Sequence, residues 1–210
     1  MLTAEEAIGR LREGNGRFVD GGRVLKDLAS HERRSEVSDR QEPFAIVLGC
    51  SDARVPAEIV FDHGLGDLFV IRVAGNVVAP SGMGSVEFAA ERFGTRLVVV
   101  LGHSRCGAVA ATLEELEHPT ENHSPNLSSI VDRIRPAVEP LLANGTPVDV
   151  ESLLQEAVRA NIAASVEQLR KGSAILESRQ REDGLRVVGA EYCLESGEVL
   201  FHDDDLRTLE

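Results

Sequence analysis

The chain of 210 residues has no tryptophan, one tyrosine and, among 22 basic residues, only two lysines, Lys26 and Lys171. Acidic residues number 35 and leave a net charge of −13. A nucleic-acid partner requires a positive surface, so the balance argues against that class of function. No apolar run reaches the roughly 18 residues of a membrane span, and no membrane partner is expected. The first residues, Met1-Leu2-Thr3-Ala4-Glu5-Glu6, lack the basic and then apolar pattern of a secretory signal. They also lack the Arg-rich, acid-poor character of a transit peptide, so a cytoplasmic location is expected. Three cysteines cannot complete a disulfide set, and no Cys-x-x-Cys is present, which argues against a redox role. Thiols in such a chain serve metals or stay buried. Cys193 lies in a strand-like run and reads as a small core residue. There is no internal repeat and no low-complexity segment.

What is present is an alternation of strand-like and helix-like patterns. Thr3-Ala4-Glu5-Glu6 is a capping box, followed by Ala4, Ala7, Ile8 and Leu11 at helical spacing, with Gly14 as the expected stop. Residues 20–40 are polar and read as a loop with a short irregular helix. Phe44-Ala45-Ile46-Val47-Leu48, Leu68-Phe69-Val70-Ile71 and Leu97-Val98-Val99-Val100-Leu101 are short apolar runs without alternation. Such runs suit parallel strands buried on both faces. Val187 to Tyr192 forms a fourth run, and Val199-Leu200-Phe201 returns after the Glu195-Ser196-Gly197 turn as a hairpin partner. Helical patterns cover 83–93, 105–117, 127–143 and 150–170, and the polar stretch 118–128 reads as an exposed loop. The expected fold is α/β: four parallel strands plus an antiparallel edge strand, flanked by helices. A single domain over 1–210 is expected: 1–40 a helical arm, 41–115 the core, 116–185 helical, 186–210 the closing strands.

Two short motifs follow strand ends, where open parallel sheets collect ligands. The first is Cys50-Ser51-Asp52-Ala53-Arg54, and the second is His103-Ser104-Arg105-Cys106-Gly107. Gly49 and Gly102 precede them and permit close backbone approach. Cys106 falls at a helix start, where the positive helix end favours a thiolate. Two thiolates, an imidazole and a carboxylate form a plausible four-ligand zinc set. Arg54 could draw Asp52 off the metal and open one position. The other histidines, His31, His63, His118, His123 and His202, have no partnered spacing and receive no role.

At these residues the sequence resembles the β-class carbonic anhydrases. Glu13 to Val19 is similar to that family's N-terminal helix exit, and Cys50 to Glu58 to its first ligand motif. Gly66 to Asn76, Gly84 to Ala89, Leu101 to Gly107 and Gly189 to Tyr192 are similar to further family signatures. The resemblance implies a zinc-dependent lyase hydrating CO2 to bicarbonate, with Zn2+ held by Cys50, His103 and Cys106 and with water or Asp52 in the fourth position. It implies a homodimer, in some members a homotetramer, with the N-terminal arm packed on a partner subunit. It places Gln41 near a substrate oxygen, and Phe69, Ala74 and Phe88 around an apolar CO2 pocket with Gly107 offering backbone polarity. Some members carry tyrosine where Phe88 stands, so no hydroxyl role exists there. A regulatory bicarbonate site in some bacterial members uses a tryptophan, an arginine and a tyrosine. Arg72 and Tyr192 fit the last two, but Val47 stands at the tryptophan position, which argues against such regulation. Without that role Arg72 reads as an ion-pair partner and Tyr192 as a strand residue at a dimer interface.

The chemistry agrees with the residues. CO2 is uncharged and weakly electrophilic, so hydration needs a strong nucleophile in an apolar pocket, and zinc supplies one by acidifying water. Asp52 would accept a hydrogen bond from that nucleophile, while Arg54 keeps the carboxylate ionised and away from the metal. Low pH is expected to favour Asp52 as a fourth ligand. Two other readings stay open at this point: a carbon disulfide or carbonyl sulfide hydrolase on the same scaffold, and a non-catalytic structural zinc protein.

Overall fold

Five strands pair in the order β2-β1-β3-β4-β5 in a computed structural model that describes residues 2–22, 29–119, 124–143 and 149–202. They are β1 (Ala45–Gly49), β2 (Leu68–Arg72), β3 (Leu97–His103), β4 (Arg186–Tyr192) and β5 (Val199–His202). The first four run parallel, and β5 returns antiparallel to β4. Every residue of β1 and β3 is buried, which is why both read as unbroken apolar runs rather than alternating ones.

The helices are α1 (Ala4–Val19), α2 (His31–Glu36), α3 (Ala57–Val60), α4 (Pro80–Phe93), α5 (Gly107–Glu117), α6 (Pro125–Ala143), α7 (Val150–Lys171) and α8 (Ala174–Glu182). One sheet face, with Val47, Leu97, Val99, Leu101, Val188 and Ala190, is covered by Ala4, Ala7, Ile8 and Leu11 of α1 together with α3. The other face, with Ile46, Leu48, Val98, Val100 and Val187, is covered by α4 through α8. Successive strand residues point to opposite faces, so both cores come from the same short runs. Among the described residues no helix is long and apolar enough to cross a membrane.

Several local expectations change. The capping box forms, with Glu6 N–H donating to Thr3 Oγ1 at 3.2 Å, but the helix does not stop at Gly14. It continues to Val19, and Gly14 serves packing instead: a Cβ there would lie 1.8 Å from Phe61 O. The next residue, Asn15, is buried and donates from Nδ2 to Val60 O and Gly197 O, which locks the helix against α3 and the final turn. The apolar stripe of α1 is therefore spent on the sheet of its own subunit, so the arm expected to pack on a partner has only its other faces free to do so. Pro125–Ser128, read as loop, opens α6. Residues 120–123 of that stretch and 23–28 of the 20–40 segment lie outside the described residues. Within the latter segment His31–Glu36 is helical, as expected.

Candidate metal centre

β1 and β3 are neighbours, with Gly49 opposite Leu101, so the chain leaving β1 at Cys50 lies beside the end of β3 at His103. Gly102 is needed in this approach, because a Cβ there would lie 2.5 Å from Ile162 on α7. Gly49 is not: its nearest such contact is an ordinary 3.8 Å. After His103 the backbone is pinned by Ser104 N–H donating to Tyr192 O at 2.9 Å and by Leu194 N–H donating to Ser104 Oγ at 3.0 Å. Arg105 then takes φ 54°, a left-handed turn that brings Cys106 to the N-cap of α5. The ligand atoms of Cys50, His103 and Cys106 all lie within 4.8 Å of one another, and all three residues are buried.

The fit to a metal rests on His103. Its Nδ1 stands 3.0 Å from Ser104 O, which can only accept, so Nδ1 carries the proton and Nε2 holds a lone pair. That Nε2 is buried without a hydrogen-bond partner, a costly state that a cation between the ligands relieves. The two sulfurs point the same way. A hydrogen bond from Cys106 holds the Cys50 thiol well below its ordinary range, while the same bond and burial push Cys106 well above it. The pair thus shares one proton, and both sulfurs can be thiolates only with a positive charge between them. Two sulfurs and one imidazole are the protein ligands of one kind of catalytic zinc site.

Asp52 stands next to this set without joining it. Arg54 donates from Nε to Oδ1 at 2.9 Å and from Nη2 to Oδ2 at 2.7 Å, and its backbone N–H donates to Oδ1 at 3.0 Å. This grip holds the carboxyl well below the usual carboxylate range. Oδ2 remains 3.9 Å from His103 Nε2. Arg72 fixes the loop from behind, donating from Nε to Cys50 O at 3.0 Å and from Nη2 to Asp52 O at 2.6 Å. Its partners are thus two carbonyls rather than the acidic side chain expected. Gly75 N–H donates to Cys50 Sγ at 3.4 Å. The sequence motifs carry no sign of these last two interactions, because their donors come from the strand and loop beyond the motif.

The structure separates the remaining candidates. Ala74 directly precedes Gly75 in a 3-10 turn over Ala74–Asn76, and Gly107 follows Cys106, so both border the ligand loops. Phe69 pairs in register with Ile46, well before the strand end, and clusters with Phe88 and Phe93 at 6.3 and 6.0 Å between ring centroids. Gln41 precedes β1, at the end opposite Cys50, beside Arg10, Phe44 and Arg92. Val47 and Tyr192 share the α1-covered face, where Tyr192 packs near Phe18 of the same chain, with ring centroids 6.4 Å apart. Cys193 is not core: it is half-buried just past β4 and lines an open cleft with Ser104 and Arg105.

A mostly parallel sheet covered on both faces, with a buried cluster of two sulfurs and an imidazole able to hold a metal at its carboxyl edge, defines an α/β protein with a candidate metal centre. Residues 45–199 match the family model described as carbonic anhydrase. A carbonic anhydrase of Mycolicibacterium smegmatis is 39% identical over 90% of this chain and 88% of its own length. Carbonic anhydrase 2 of Mycobacterium tuberculosis is 37% identical over 92% of this chain and 90% of its own. In structure the chain is similar to the β-carbonic anhydrase CafA of Aspergillus fumigatus, with TM-score 0.73 and 26% identity over 82% and 81% of the two chains. The chain belongs to the carbonic anhydrase family, in its β class. It is a lyase that interconverts CO2 and bicarbonate.

Proposed function

We propose that Cys50 Sγ, Cys106 Sγ and His103 Nε2 hold a catalytic zinc ion, and that Asp52 and Arg54 form the dyad that orients the attacking water. The observation that carries this is the buried Nε2 of His103, without a partner and within 4.8 Å of both sulfurs. When bound, zinc supplies a Lewis acid that makes water a nucleophile at neutral pH. The chain does the rest. Ser104 O fixes the imidazole tautomer, a positioning role typical of groups behind metal ligands. Arg54 keeps Asp52 ionised and drawn aside, so the carboxylate would accept a hydrogen bond from an attacking water and so orient it toward CO2. Ala74 and Gly107 border the space that CO2 enters.

Gln41, Phe69 and Phe88 do not reach the ligands within one subunit. Phe88 is 54% exposed, and β2 is an edge strand whose Phe69, Val70 and Ile71 are only half-buried. A homodimer formed along this edge would cover the exposed phenylalanine and the half-buried strand residues. A tetramer is the alternative that a solution mass distinguishes. Stopped-flow CO2 hydration with zinc content measured on the same sample tests the central reading. Protein prepared without chelator that carries neither metal nor activity would overturn it.

A further inference from the structure

Asn161, Ser165 and Gln168 lie four and three residues apart and so share one face of α7. Each donates to a carbonyl of the segment that leaves β2. Asn161 Nδ2 reaches Gly75 O at 2.8 Å, Ser165 Oγ reaches Asn76 O at 3.2 Å, and Gln168 Nε2 reaches Val78 O at 3.2 Å. Asn161 is 2% exposed, among Val158, Ile162 and Val166 in the core, where an unpaired amide is costly. The same segment is tied on its other side to the Cys50 loop, since Val73 N–H donates to Gly49 O at 3.1 Å and Ser51 N–H to Val73 O at 3.3 Å.

Gly75 is the link between these ties. It sits at φ 68°, ψ 19°, in the left-handed region, and a Cβ there would lie 2.7 Å from Ile134 Cδ1, so the position calls for glycine, whose backbone is restrained by its hydrogen bonds and not by a side chain. Its carbonyl accepts from Asn161, and its N–H donates to Cys50 Sγ at 3.4 Å. The N–H and the carbonyl belong to the two peptide planes that meet at the Gly75 Cα, so anchoring the carbonyl narrows the directions open to the N–H. An N–H directed at a thiolate withdraws charge from sulfur and so tempers what that sulfur gives a metal.

We propose that Asn161 is a positioning residue for the Cys50 thiolate: by anchoring Gly75 O it directs the Gly75 N–H onto Cys50 Sγ and sets the donor strength of that ligand. The proposal rests on Cys50 being a metal ligand, and it reaches a helix about 110 residues downstream of that cysteine. Deleting the amide releases the Gly75 carbonyl, lets the N–H drift from Cys50 Sγ, leaves the sulfur more electron-rich and loosens its placement.

The test uses full-length protein loaded with cobalt(II), whose sulfur-to-metal charge-transfer absorption reports on the thiolates, together with zinc competition against a chromophoric chelator. Asn161→Ala and the near-isosteric Asn161→Leu should both move the band to longer wavelength and weaken zinc binding about tenfold. Gln168→Ala removes the same kind of bond at Val78, so it should lower Tm while leaving band and affinity at wild-type values. The proposal is overturned if the Asn161 variants match Gln168→Ala in band and affinity. It is also overturned if neither Asn161 variant folds while Gln168→Ala does, because the amide is then purely structural. Wild-type protein that takes up no cobalt or zinc sinks the ligand reading itself, an outcome distinct from a failure confined to the variants.

Discussion

Arg54 grips Asp52 with three donors, its Nε, Nη2 and backbone N–H, at 2.9, 2.7 and 3.0 Å. The carboxylate is thereby held with Oδ2 3.9 Å from His103 Nε2, beside the proposed ligand set. The two side chains are 18% and 57% exposed, so the pair contributes little to stability and its value lies in placement.

Asp52→Asn is expected to retain zinc and lose activity by about a hundredfold or more, the scale of a missing proton-handling group. Metal content by elemental analysis and CO2 hydration on one sample check this together. A fully active, metal-loaded Asp52→Asn would remove the dyad from the mechanism.

Arg54→Ala acts on the other partner. The freed carboxylate has only a short distance to cover to become a fourth ligand, which closes the site. Expected are unchanged or tighter zinc binding and a fall in kcat of roughly a hundredfold. Looser zinc with normal kcat would contradict the assignment.

Cys106→Ser should lose both metal and turnover, because a buried hydroxyl is a far poorer ligand than a thiolate. A Ser variant that binds zinc as tightly as wild type would mean that Cys106 is not a ligand.

Gly14→Ala tests the packing of α1. Its new methyl would sit 1.8 Å from Phe61 O, a backbone atom that cannot step aside without moving α3. A loss of about 1–3 kcal/mol or more in a denaturant titration is expected. A variant of undiminished stability would show that the helix does not rest so close to Phe61.

His63 makes stability depend on pH. It is buried near Phe44, with Nε2 3.3 Å from Arg10 O and Nδ1 3.8 Å from Asp67, and Arg17 lies nearby. Burial, more than any charge, holds its pKa below the ordinary 6.5. As pH falls through about 6.5 the unfolded chain therefore binds the proton first, and the folded state loses ground until its own lower pKa is reached. Tm of wild type should decline through that window, and His63→Gln should decline less. Parallel curves would rule His63 out as the source.

Much of this architecture was readable from residue order because the strands of a doubly covered sheet are short, apolar and unbroken. Leu97 to Leu101 can be little else, and the two ligand motifs fall at strand ends where α/β proteins gather chemistry. Misreadings arose where a residue's reason lies elsewhere in the fold. Gly14 looks like a helix stop until Phe61 is seen against it. Ala174–Glu182 escaped notice because only Leu176 of that helix is buried, so it carries almost no amphipathic signal. Cys193 looked like core because the strand pattern runs on, yet β4 ends one residue earlier. Asn161 and Arg72 support the site through backbone atoms, and main-chain partners leave no trace in side-chain spacing.

The two halves of the proposed ligand set hang from β1 and β3, adjacent parallel strands separated in sequence by β2 and α4. Pairing of this kind forms late, because a long loop must close before the strands can zip. Until that ladder closes, the residues of the proposed ligand set are held apart on separate segments of the chain.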